Sequence, residues 1–296
     1  HRPSSVNDAA ALIKGEAKLL AGGQTLVQTM KLRLASPSDI IDLGTIKDLA
    51  GIRSDGKSVT IGAMTRHADV AHSADVKKAI PALAALATMI GDRQVRAMGT
   101  IGGSVANNDP AADYPAALLA LNATITTNKG KHEADKFFKG MFTTALGAGE
   151  IITGVSFNVP RRAAYMKFKN PASRFAIVGV FVADFGSSVR VAVTGAGPSV
   201  FRQADMEKAL AAKFAPESVA SIKVKQDGLN SDMHASAEYR AHLVTVMARR
   251  AVDILTGPGV LDAMRQAARR RAVERFPRDR IVERYEAYYR EVMGRG

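Results

Sequence analysis

The sequence predicts an α+β protein of about two domains, and three observations carry that expectation. Its 296 residues correspond to about two domains of roughly 150 residues each. Hydrophobic residues make up 47% and charged residues 23%, a globular composition with ample material for a buried core. The second half carries three closely spaced strand-like runs followed by helical patterns, the order of an α+β module.

Taken in order, Ser4-Ser5 opens a helix over residues 6–13. A short strand over 18–21 ends at the Gly22-Gly23 turn, and a helix over 24–34 follows. Runs at 40–43 and 59–62, bounded by turn residues, read as strands. Ile80, Leu83, Leu86, Ala87 and Ile90 recur at helical spacing and predict a helix over 76–90. Residues 99–115, rich in Gly, Asn, Asp and Pro, read as a loop. A helix over 116–121 and strands over 124–127 and 150–159 complete the first half. Pro160-Arg161-Arg162 is the expected domain boundary. Strands then follow over 164–168, 177–184 and 189–194, the last two joined by a hairpin turn at 185–188. Helices are expected over 204–213, 216–222 and 235–255.

Composition excludes several chemistries. Cysteine is absent, so this chain forms no disulfide, carries no thiolate nucleophile and cannot by itself hold Cys-ligated zinc or an iron–sulfur cluster. No stretch approaches the roughly 18 uncharged apolar residues of a membrane span. No signal peptide is visible, and a cytoplasmic location is expected. His1 is not a natural start, and a few residues are expected to precede it. With 41 basic and 28 acidic residues the net charge is +13. The basic residues of the first 256 positions are scattered, with no RNA-binding aromatic pattern and no zinc finger. The charge therefore reads as a surface for an acidic subunit or an anionic ligand, with nucleic acid the competing reading.

Two double-glycine loops are the first candidates for chemistry: Ala21-Gly22-Gly23-Gln24-Thr25 and Thr100-Ile101-Gly102-Gly103-Ser104. Glycine lets backbone N–H groups approach an anion closely, so two such loops could grip one pyrophosphate from both sides. Read singly, each Gly-Gly pair is an ordinary turn. Neither loop is G-x-G-x-x-G or a Walker loop. Asp109 and Asp113, four apart, could cap a helix, ligate a cation or hydrogen-bond a ligand hydroxyl. His67 and His72 lack metal-pair spacing and read as structural or solvated. No Ser-His-Asp order or H-E-x-x-H motif supports hydrolysis. The residues alone therefore describe a protein whose chemistry is carried by a bound phosphate-bearing ligand.

Four segments are identifiable together: residues 20–26 (Leu-Ala-Gly-Gly-Gln-Thr-Leu), 94–103 (Gln-Val-Arg-Ala-Met-Gly-Thr-Ile-Gly-Gly), 109–113 (Asp-Pro-Ala-Ala-Asp) and 231–240 (Ser-Asp-Met-His-Ala-Ser-Ala-Glu-Tyr-Arg). In this order and spacing the chain resembles the FAD-binding medium subunits of the molybdenum hydroxylases, the carbon monoxide dehydrogenase and xanthine dehydrogenase type, from His1 to about Leu255. The resemblance implies a two-part FAD-binding domain of the vanillyl-alcohol-oxidase type over 1–160, with subdomains of about 1–47 and 48–160. It also implies a C-terminal domain of three antiparallel strands plus helices over 163–256. It implies FAD held through Ala21, Gly22, Gly23, Gln24, Thr25, Thr100, Gly102, Gly103 and Ser104. Asp113 would meet the ADP and ribityl side, Ile151 or Ile152 an adenine or flavin edge, and Lys167 the pyrimidine end. No residue of this chain attacks substrate, and no metal site is implied. The implied work is electron relay from a small iron–sulfur subunit, in a complex with a large molybdopterin subunit, through FAD to an acceptor. The alternative is a self-contained FAD-dependent oxidase or dehydrogenase of the same fold.

Two departures touch the flavin edge. Arg174 stands where relatives often carry an acidic residue before an aromatic, and the 194–199 loop has no tyrosine. The tail, residues 257–296, changes character: ten Arg and no Lys, against fourteen Arg and seventeen Lys before it, and three of the six tyrosines. It resembles, loosely, the C-terminal helices of GT-B glycosyltransferases, a likeness that carries no activity. Two helices split at Pro277 are expected, the second with Ile281, Tyr285, Tyr288 and Val292 on one stripe.

Overall fold

The N-terminal segment is a small parallel unit. In the computed structural model, which describes residues 1–257, 266–267, 269–271, 273–274 and 277–294, Ser5 accepts a hydrogen bond from the Asp8 N–H and caps α1 (Val6–Leu12). Strand β1 (Lys18–Leu20) runs parallel to β2 (Ile40–Asp42), with α2 (Leu26–Lys31) in the connection. Ala9, Ile41, Leu43, Leu49 and Ile151 form its core.

A second sheet begins with the hairpin β3 (Ile52–Ser54) and β4 (Ser58–Gly62). Six short helices follow: α3 (His67–His72), α4 (Ala74–Ala79), α5 (Pro81–Thr88), α6 (Arg93–Met98), α7 (Ile101–Asn107) and α8 (Tyr114–Ala120). Then come β5 (Thr124–Thr127), β6 (Lys131–Glu133), α9 (Ala134–Phe137), the small hairpin β7 (Phe138–Gly140) and β8 (Thr143–Thr144), and β9 (Ile152–Asn158). The sheet order is β3-β4-β9-β5-β6, antiparallel throughout. The one helix expected over 76–90 is two. Proline has no N–H to continue helical bonding, so α4 stops at Ala79 and Pro81 opens α5. The loop expected over 99–115 contains α7. Its two glycines disfavour helix by propensity, and tertiary packing overrides them.

The C-terminal part holds the three expected antiparallel strands, β10 (Arg162–Lys169), β11 (Ala176–Asp184) and β12 (Val189–Thr194). A two-residue fourth strand, β13 (Phe201–Arg202), pairs with β12. Helices α10 (Ala204–Ala212), α11 (Pro216–Ala220) and α12 (Ala237–Thr256) follow. Every residue of β11 is buried. Side chains alternate across a strand. Val178, Val180 and Val182 accordingly join the core under α10 and α12, while Phe181 and Ala183 join the core of the first half. A sheet covered on both faces reads as a continuous apolar run, which is what Ile177 to Ala183 shows. Tyr165, Phe181, Ala183 and Ala192 thus pack with residues from before the expected boundary.

Residues 1–255 form one compact unit and 256–296 a second. In the second, Pro277 precedes a helix over Arg278–Met293. Its Tyr285, Tyr288, Tyr289 and Val292 are exposed, and the rings of Tyr285 and Tyr289 stack 6.4 Å apart. The first expected tail helix lies largely outside the described residues. Among the described residues, no helix is long and apolar enough to cross a membrane.

Candidate functional site

A cleft of about 670 Å³ opens where the N-terminal unit meets α7, lined by both glycine loops. That volume lies within the roughly 300–1,000 Å³ range of sites that enclose an organic ligand. The first loop links β1 to α2. Gly23 is left-handed at φ +72°, which turns the chain sharply out of the strand. Among the described residues, the N–H groups of Gly22, Gly23, Gln24 and Thr25 donate to no protein acceptor. Thr25 precedes α2 without a side-chain cap.

The second loop differs. The Ile101 N–H donates to Thr65 O at 3.1 Å and the Gly102 N–H to Ala63 O at 2.8 Å. The Gly103 N–H donates to Thr100 Oγ1 at 3.2 Å and the Ser104 N–H to Thr100 O at 3.1 Å. The second loop therefore presents shape and the Thr100 and Ser104 hydroxyls, and its backbone donors are spent internally. One glycine of each loop serves packing. A Cβ on Gly102 would stand 2.5 Å from Ala63 Cβ, and one on Gly22 would strike Met98 O and stand 2.6 Å from Gly99 Cα. Gly22 thus admits the end of α6 at Met98 and Gly99, and Gly102 admits Ala63, just after β4. Only Gly103 is open toward the other loop, with Thr100 Oγ1 at 3.0 Å and Ala21 Cβ at 3.3 Å.

Ala21, Gly22, Gly23, Gln24, Thr25, Thr100, Gly102, Gly103, Ser104, Asp113, Ile151 and Ile152 all line the cleft. Lys167 does not. Its ammonium is buried behind the wall, donating to Asp113 Oδ2 at 2.8 Å and to Met89 O at 3.1 Å. Asp113 Oδ1 accepts from the Tyr165 hydroxyl at 2.5 Å. Burial pushes the Asp113 carboxyl up, against the charge and hydrogen bond of Lys167 and the bond from Tyr165. Asp109 also lines the cleft. Its Oδ1 accepts from the Ala111 N–H at 2.8 Å, a turn role, and burial raises its pKa. Among the described residues no cluster of His, Cys, Asp or Glu could hold a metal.

Sequence reasoning missed several wall residues. His67, read as structural or solvated, is 4% exposed and packs beneath Gly99, the structural alternative, but it also lies on the cleft. Burial, with the Arg96 charge nearby, lowers its pKa to about 4. Glu150 lines the cleft too and accepts from the Gly147 N–H, the Thr127 hydroxyl and His132. Burial opposes its ionisation, but those hydrogen bonds prevail and hold it down to about 2. Phe142 and Phe175 also line the cleft and remain exposed. Phe142 sits at φ +52° in the β7–β8 turn, a conformation that no sequence signal announced. Arg174, the departure noted above, is likewise left-handed at φ +63° and on the wall.

Comparison with known proteins gives the same outline. Residues 1–161 match the family described as FAD binding domain in molybdopterin dehydrogenase. Residues 163–255 match the CO dehydrogenase flavoprotein C-terminal domain. The chain is 37% identical over 266 residues to the nicotine 6-hydroxylase medium subunit of Paenarthrobacter nicotinovorans, covering 84% of this chain and 94% of that one. It is 36% identical over 276 residues to the carbon monoxide dehydrogenase medium chain of Hydrogenophaga pseudoflava, covering 86% and 95%. Among solved structures, carbon monoxide dehydrogenase from Hydrogenophaga pseudoflava superposes with a TM-score of 0.77 at 35% identity, covering 86% of this chain and 95% of that one. Quinoline 2-oxidoreductase from Pseudomonas putida 86 superposes with a TM-score of 0.78 at 25% identity, covering 85% and 94%.

Proposed function

We propose a function from one premise: the chain belongs to the family of FAD-binding medium subunits of molybdenum hydroxylases, and its cofactor is FAD. Its work is electron relay within a multi-subunit oxidoreductase. When bound, FAD supplies the redox chemistry, taking electrons from iron–sulfur clusters of a small subunit and passing them to NAD, a quinone or oxygen. The small subunit and a large molybdopterin subunit are the proposed partners, in a cytoplasmic complex. The absence of cysteine supports that division, because this chain cannot hold the clusters itself.

The observation that carries the reading is the set of open N–H donors at 22–25, on a cleft also lined by the 100–104 loop, whose own donors are spent internally. Open donors in a partly buried cleft suit a pyrophosphate. In this reading Gly22 to Thr25 bind the pyrophosphate, while the Thr100 and Ser104 hydroxyls orient it. Asp113 accepts from cofactor hydroxyls, and Ile151 and Ile152 exclude water from the ring edges. Lys167 acts from behind Asp113. The domain division that accompanies this reading is 1–160 as the two-part domain of the vanillyl-alcohol-oxidase type, split near residue 47. It continues with 163–256 as the flavoprotein C-terminal domain and 257–296 as a tail of separate character.

The test is reduction of the chain's flavin. The purified chain should take up FAD, turn yellow and remain oxidised when offered aldehydes, purines or carbon monoxide. Adding the iron–sulfur and molybdopterin subunits should bring substrate-dependent bleaching. Turnover of a small organic donor by the isolated chain would make it a self-contained oxidase and defeat the relay reading.

A further inference from the structure

Tyr165 has no place in the site as read from sequence, yet two separate positions, Asp113 and Gly179, are fitted to its hydroxyl. Tyr165 and Lys167 lie two apart on β10 and so share one face of the strand. Both reach Asp113, which comes from the segment before α8: Tyr165 donates to Oδ1 at 2.5 Å and Lys167 to Oδ2 at 2.8 Å. Gly179 on β11 makes room for this. A Cβ there would collide with the Tyr165 hydroxyl and stand 2.9 Å from Thr194 Cγ2. The Tyr165 ring is steadied by Phe181, 6.0 Å away between centroids. Asp113 itself is 5% exposed and on the cleft wall. Behind it, the Thr194 hydroxyl donates to Ala112 O at 2.6 Å and fixes the backbone.

We propose that Tyr165 is a positioning residue of the cofactor site. With Lys167 it supports the Asp113 carboxylate against the cost of burial and holds it in one orientation, so that its remaining lone pairs accept hydrogen bonds from the hydroxyls of bound FAD. The inference rests on the FAD reading of the cleft and deepens it: the C-terminal sheet anchors a carboxyl of the FAD-binding domain.

A carboxylate removed from water protonates unless it is paired and hydrogen-bonded. Lys167 provides the charge and Tyr165 the directed bond. Removing the hydroxyl leaves the carboxylate half-anchored and easier to protonate. The groups facing this centre are Lys167 and Tyr165 from β10, Tyr114 from α8, and, beyond the Tyr114 ring, His67 of α3 with Arg96 of α6 near it. Both tyrosines are raised and stay phenols through neutral pH, and His67 stays neutral above about 4. Asp109 is the other cleft carboxyl with a raised pKa, so its contribution must be separated.

The experiment uses the full chain, stripped of flavin and titrated with FAD by fluorescence quenching from pH 5 to 9. Tyr165→Phe should weaken FAD binding about tenfold at pH 7, the size of one hydrogen bond to a charged group. It should also move the acid limb of the affinity profile to higher pH. Asp113→Asn should weaken binding comparably and flatten that limb, which assigns it to Asp113 rather than Asp109. Wild-type affinity in Tyr165→Phe, or weaker binding with an unmoved limb, would reduce Tyr165 to packing and overturn the proposal. Should Tyr165→Phe fail to fold, Asp113→Asn decides alone: a wild-type profile in it overturns the proposal. A wild-type chain that takes up no FAD would instead sink the cofactor reading before either variant is made.

Discussion

The two glycine loops look alike in sequence and differ in what they do. The first, 21–25, leaves its backbone donors open, while the second, 100–104, spends its donors on Ala63, Thr65 and its own cap. A Gly-Gly pair can therefore mean ligand access or close backbone packing, and the hydrogen-bond partners of the flanking residues tell which.

Alanine substitutions in the second loop probe that contrast most strongly. Gly102→Ala should destabilise the whole chain, because its Cβ would stand 2.5 Å from Ala63 Cβ and 2.7 Å from Ala63 O. Overpacking of this kind costs about 1–3 kcal/mol, so a lower melting temperature should accompany any flavin loss. Gly103→Ala meets only Thr100 Oγ1 at 3.0 Å and Ala21 Cβ at 3.3 Å. It should lose FAD affinity while the melting temperature of the flavin-free chain changes little. Equal melting temperatures and equal flavin loss in both variants would erase the difference between a packing glycine and a cleft glycine.

A smaller effect is expected at Glu150, which ties the segment leading into Ile151 and Ile152 to Thr127, His132 and the Gly147 N–H. Folding lowers its pKa from 4.5 to about 2, so its stabilisation is present above pH 4.5 and is lost as pH falls through 2. Glu150→Gln should lower stability by about 1–2 kcal/mol near neutral pH, the order of a hydrogen-bonded charge. The gap from wild type should close between pH 4.5 and 2 in urea melts. A gap that persists unchanged in acid would show that the carboxylate charge is not what locks this wall.

Much of this architecture was legible in the residues. The apolar run from Ile177 to Ala183 announced a buried strand, and the turn at 185–188 joined it to its neighbour. Eleven of the twelve residues assigned to the cofactor by resemblance line one cleft. The exception, Lys167, is instructive. Sequence matching places a residue beside a ligand but cannot show that its charge is already taken by Asp113. Helix α7 was illegible because its glycines are poor helix formers, and the carbonyls that accept from its Ile101 and Gly102 N–H groups, Thr65 and Ala63, lie over 30 residues away in sequence. His67 and Tyr165 were missed for the same reason. Their burial and partners come from elements distant in the chain, and neither residue belongs to a local motif.

Amide hydrogen exchange on the flavin-free and FAD-loaded chain tests the central claim most directly. The amides of Gly22, Gly23, Gln24 and Thr25 should exchange fast without FAD and become protected with it. Those of Ile101, Gly102, Gly103 and Ser104 should be slow in both states. Protection at 22–25 that is absent with FAD, or already present without it, would contradict the assignment of the first loop as the cofactor's donor set.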